Sequence, residues 1–128
     1  MVRRNMTNNE IYTTALALME NIVNLNLTLP VKINFYLQKN ISAIIAIAEE
    51  IEKARTDIFN KYGTIDNETG QYNFTEDQTE IANKELEDLF SLEQEVPIYE
   101  ISLDAFGDIE LDSNQLKSIL YMIKDEKE

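Results

Sequence analysis

"ISAIIAIAEE", residues 41–50, is the most apolar run of the chain, and it ends at two glutamates. Three different objects carry such a run: a membrane anchor, a buried core helix, or a seam for a partner helix. A spanning helix needs about 20 apolar residues, but only eight residues separate Asn40 from Glu49. The run is too short for an anchor. Its surroundings extend it instead into a long amphipathic helix. Between Val31 and Tyr62 there is no proline or glycine. Pro30 stands at the first turn, where its missing amide donor costs nothing, and Gly63 falls where a left-handed C-terminal cap belongs. At 1.5 Å per residue the spacing predicts a helix of roughly 45–50 Å.

Within it Leu37, Ile41, Ile44, Ala48, Ile51, Arg55, Ile58 and Tyr62 recur at alternating steps of four and three, a row of about three and a half heptads. Ile45, Ala54 and Phe59 widen the row on one flank and Ile47 on the other. A stripe wider than a two-position seam is expected of a helix gripped on more than one side. The reading is therefore a core helix, with the apolar excess forming a contact between copies of the chain. The candidate interface residues are Leu37, Ile41, Ile44, Ile45, Ile47, Ile51 and Ile58. Arg55 interrupts the row because 3.6 residues per turn drifts from 3.5, so its charge is expected to snorkel at the edge.

Upstream, Thr7-Asn8-Asn9-Glu10 reads as a capping box opening a helix with Ile11, Ala15, Leu18, Met19 and Ile22 on one face. Asn24 and Asn26 end it. Downstream, the turn chemistry of Asp66-Asn67 and Gly70, between Ile65 and the pair Tyr72 and Phe74, points to a short hairpin or ordered loop. Thr75 to Gln78 is a second capping box. It opens a helix striped by Ile81, Ala82, Leu86, Leu89 and Phe90, and the short connection implies an antiparallel helical hairpin. From Val96 to about Asp112 the period changes to that of one or two short strands, with Pro97 implying an edge. Asp112 to Gln115 caps a last helix carrying Leu116, Ile119, Leu120 and Ile123.

The expected fold is thus mainly α with minor β: a long central helix in an antiparallel hairpin, a short β element and a C-terminal helix, in one domain over residues 1–128. Residues 1–6 are expected to be a disordered extension, with Met6 an alternative start, and 124–128 a frayed tail. "NMTNNE" after Arg3 and Arg4 lacks the apolar core of a signal peptide.

The 128 residues include no Cys, His or Trp. Disulfides and thiolate sites are excluded, as are the commonest general base and every Ser-His or Cys-His nucleophile pair. No catalytic residue, cofactor or metal site is expected. The net charge of −13 is concentrated after residue 62, where eighteen acids face four bases. Such a half repels phosphate backbones, and the six tyrosines are read as lying beside apolar positions rather than basic ones, so direct nucleic-acid binding is not expected. Asp104, Asp108, Glu110 and Asp112 lack the spacing of a calcium loop, as does the segment from Asp66 to Gly70. Together with Glu85, Glu87 and Asp88 they form a candidate acidic surface for a protein partner. The sequons at Asn26, Asn40, Asn67 and Asn73 are chance matches in an Asn-rich chain.

The order of the pieces "TNNEIYTTALAL", "LTLPVKINFYLQKN", "EEIEKARTDIFNKYG", "GQYNF" and "NKELEDLFSLEQEVPIYEISLDAFGDIEL" resembles a family of small phage and prophage proteins of low-GC Gram-positive bacteria. The resemblance runs from Thr7 to Ile123. It implies a phage gene product acting in the host cytoplasm or in a particle, and it brings no catalytic residues with it. The resulting expectation is a non-enzymatic accessory protein that works through protein–protein contacts with host or phage proteins and associates with itself. The alternatives are an acidic, DNA-mimic-like inhibitor of a host defence or nucleic-acid enzyme, and a minor virion or assembly component.

Overall fold

A computed structural model describes residues 1–124, and it is mainly α with a minor β component. The tail expected at 124–128 lies, apart from Lys124, outside the described residues. Strand β1 (Val2–Thr7) leads directly into α1 (Asn8–Asn21). The long helix α2 (Val31–Tyr62) then spans 32 residues, roughly 48 Å of rise. A two-residue hairpin, β2 (Thr64–Ile65) with β3 (Tyr72–Asn73), leads to α3 (Glu76–Ser91). Strand β4 (Glu93–Ile98), a 3-10 turn over Leu103–Phe106, α4 (Ser113–Ile119) and a second 3-10 turn over Leu120–Met122 complete the order among the described residues.

The three capping signals are all realised. Thr7, Thr75 and Asp112 each accept from the third amide of their helix while Glu10, Gln78 and Gln115 reach back. Two orphan donors are satisfied at each helix start, which pins three helix boundaries locally.

Residues 2–7 correct the expectation of a disordered extension. They pair antiparallel with β4, from Val2 opposite Ile98 to Thr7 opposite Glu93. The strand is held from both sides: the Arg4 guanidinium donates to the Tyr121 carbonyl, and Met6 is buried. Pro97, opposite Arg3, occupies the edge position expected of it.

Helix α2 is gripped by α1, α3 and β4. Phe59 packs near Phe74, Thr79 and Leu86, whereas Phe90 stacks edge-on against Tyr12, whose hydroxyl donates to Glu52. Positions thus fall along α2 as they rise along α3, the antiparallel hairpin. Leu37, Ile41, Ile44, Ala48 and Ile51 join Ile11, Ala15, Leu18, Val96, Ile98, Ile101 and Met122 in one core. Past Ile51 the row leaves the core. Ile58 and Tyr62 are half-buried, and Arg55 lies 4.7 Å from the centre of the Phe59 ring while bonding Glu52 at 2.9 Å. Met19 and Ile81, placed on buried stripes by periodicity, are exposed instead.

One polar residue sits at the centre of this core. Asn40 is 1% exposed, and its amide both donates to the Tyr99 carbonyl (2.8 Å) and accepts from the Tyr99 N–H (2.7 Å). A side chain thereby does for Tyr99 what a neighbouring strand would do, satisfying both backbone groups where β4 has ended. The sequon reading of Asn40 is moot, since its amide is fully engaged and inaccessible.

Gly63 also departs from expectation. Its φ of −100° and ψ of 164° are extended, so no left-handed cap exists there. Its lack of a side chain matters for another reason: a Cβ would stand 2.9 Å from the Phe59 carbonyl oxygen and 3.0 Å from the Phe74 ring. Gly63→Ala should therefore lower stability by about 1–3 kcal/mol through overpacking. Urea denaturation reads this directly, and a neutral or stabilising result would show that the Phe59–Phe74 contact is loose.

Candidate interaction surface

With the isoleucine row turned inward, the outward side of α2 carries different residues. Val31, Phe35, Lys39, Ser42, Ala46, Glu49, Glu50 and Lys53 recur at helical spacing, and all are exposed. Phe35 is 54% and Val31 88% exposed, which is unusual for large apolar side chains in a regular helix. Lys39 reaches back over the Phe35 ring at 5.6 Å, and Lys32 lies at the same distance over Tyr36. Lys61 lies 5.0 Å over Tyr62. Basic side chains therefore do neighbour two tyrosines: Lys32 meets Tyr36 through four-residue spacing on the helix, and Lys61 is next to Tyr62 in the chain.

Beside this face, between α1 and α2, runs an apolar groove of about 160 Å³. Tyr12, Leu16 and Met19 line it from α1, and Ile45, Ala48, Glu49 and Glu52 from α2. Leu16 and Met19 are each more than two-fifths exposed. At one end the Tyr12 hydroxyl is held by the Glu52 carboxylate, which raises its pKa above the ordinary value, with partial burial adding to the effect. A larger and more polar cleft of about 330 Å³ lies between α1 and α4, lined by Thr13, Thr14, Ala17, Asn21, Asn114, Lys117 and Ser118. It holds hydroxyls, amides and one cation, with no base placed to activate a nucleophile.

The seven candidate interface residues divide. Leu37, Ile41, Ile44 and Ile51 are buried in the chain's own core, so the expectation that they form an interface is corrected: α1, α3 and β4 already cover them. Ile45, Ile47 and Ile58 are half-buried at its edges. Periodicity marks the apolar row well but cannot tell whether the chain itself supplies the cover.

The acidic residues do not converge on one point. Glu85 accepts from the Tyr62 hydroxyl at 2.9 Å and lies 3.6 Å from the Lys61 ammonium. Asp112 is occupied in capping α4, accepting from the Gln115 amide at 2.8 Å. Glu87 and Asp88 on α3, Asp104 in the 3-10 turn, and Asp108 and Glu110 beyond it are exposed. Among the described residues no three acidic side chains gather as metal ligands would. No described helix is long and apolar enough to cross a membrane.

No family model, characterised protein or solved structure matches the chain.

Proposed function

We propose that the chain is a non-enzymatic accessory protein of a phage or prophage, working in the host cytoplasm through protein–protein contacts and associating with itself. The observation that carries the contact reading is the uncovered outward face of α2 with Phe35 and Val31 standing in solvent. Large apolar groups grouped with a neighbouring apolar groove are the kind of surface that marks interaction sites. The phage origin draws its support from the ordered likeness of segments across Thr7 to Ile123.

Light scattering at micromolar concentration tests the association. A mass that is a multiple of 14.8 kDa is expected, and the monomer mass at every concentration would overturn it.

A second reading, an acidic inhibitor of a host nucleic-acid or defence enzyme, is favoured by the exposure of Glu87, Asp88, Asp104, Asp108 and Glu110. It ranks behind because Glu85 and Asp112 are engaged within the fold and the remaining carboxylates sit on separate elements. A mimic of a phosphate backbone needs charge at regular spacing along one surface.

A further inference from the structure

We infer that a second copy of this chain covers the outward face of α2, the two helices lying antiparallel about a two-fold axis level with Ile44. The inference rests on the self-association proposed above and assigns it a seat.

The argument starts from the order of charge along the helix. On the uncovered face Lys39 lies on the N-terminal side of Ser42 and Ala46, and Glu49 and Glu50 lie on the C-terminal side. A parallel partner would set lysine against lysine and glutamate against glutamate. An antiparallel partner sets Lys39 opposite Glu49, and two-fold symmetry makes every such pair twice. Antiparallel packing also opposes the helix dipoles head to tail.

The same axis fixes the rest of the face. Ser42 falls opposite Ala46 at the centre, where small side chains let the helix axes approach to about 8 Å, the close end of helix packing. Phe35, exposed beneath the Lys39 chain, falls opposite Lys53 of the other copy. An ammonium over an aromatic face is attracted there, and the lysine stem covers apolar surface. From Phe35 to Lys53 the face is about 27 Å long at 1.5 Å per residue. One register therefore gives charge pairs, a close centre and covered rings at both ends.

The test uses Lys39→Glu and Glu49→Lys in the full chain. Both positions are exposed, and circular dichroism confirms that each variant is folded. Alone, each variant faces its own copy with like charges twice, and sedimentation equilibrium should show dimerisation weakened about tenfold or more. Mixed together, the two variants restore opposite charge at both contacts, so a heterodimer of near wild-type affinity is expected. The double variant should likewise recover as a homodimer. Single variants that dimerise like the wild type, or a loss that mixing does not repair, would overturn this interface while leaving self-association standing. A wild-type chain that is monomeric throughout would overturn both.

Discussion

Ile44→Ala and Ile51→Ala should each lower the unfolding free energy by about 2–5 kcal/mol, the range for removing a large aliphatic side chain from a packed interior. Ile44 has no exposed surface and Ile51 only 3%, so a truncated side chain leaves a cavity that water cannot readily fill. Ile44 faces the greater loss. It has no exposed surface at all within the core cluster, whereas Ile51 lies where the row begins to leave the core. A domain of this size has roughly 5–15 kcal/mol in hand, so either change should shift the urea midpoint clearly. The measurement belongs at one fixed protein concentration, since self-association adds stability by mass action. Losses under about 1 kcal/mol at both sites would show that this row is not the core.

Asn40→Leu should cost at least as much, for a different reason. The substitute is similar in size and more apolar, so an argument from burial alone would have it stabilise the protein. It strips the Tyr99 N–H and C=O of their partner, however, and each orphaned buried group costs about 1–3 kcal/mol. A combined loss of about 2–6 kcal/mol is expected, with the effect centred where β4 ends. Asn40→Asp distinguishes the hydrogen bonds from the shape. Ionised, the carboxylate can accept from the Tyr99 amide but faces the Tyr99 carbonyl without a proton to give. Burial and that carbonyl raise the folded pKa of the carboxyl above its unfolded value. Stability relative to the wild type is therefore greatest in acid, where both states are protonated, and declines as pH rises from the unfolded toward the folded value. A stability difference from wild type that is flat from pH 4 to 8 would show that the Tyr99 bonds do not hold Asn40 in place.

The contrast between these two sites bears on what the sequence makes legible. Ile44 is readable because a four-three rhythm of aliphatic residues has one physical meaning, a buried stripe. The ends of α2 are readable for a similar reason, since Pro30 and Gly63 bracket a stretch with no other helix breaker, and the starts of α1, α3 and α4 are readable because capping boxes are local chemistry. Asn40 is not readable, because its partner is a backbone 59 positions away and nothing near it in sequence announces that pairing. Strand β1 escapes notice for the same reason. Of "VRRNMT" only Met6 is fully buried, which is too little alternation to mark a strand without its neighbour. Gly63 falls where the sequence places a left-handed cap, but its requirement is space beside Phe59 and Phe74 rather than a left-handed turn. The proposed interface lies on residues that periodicity assigns to plain solvent exposure. Phe35, Lys39, Ser42, Ala46 and Glu49 become a candidate surface only once the isoleucine row is known to be covered from within.

The pairing of Val2–Thr7 with Glu93–Ile98 also sets a timetable for the nascent chain. The first strand leaves the ribosome long before its partner exists. At about 5–20 residues per second, synthesis of the intervening stretch of roughly 90 residues takes about 5–20 s. Once α2 has emerged α1 and α2 can meet, but until β4 follows the edge of the first strand has no mate. Pairing of the first strand is thus deferred until Ile98 emerges, and closure of the core until Met122 follows it. Slow translation between α2 and β4 would prolong the exposure of an unpaired strand, the species most prone to pair with a neighbouring chain instead of its own.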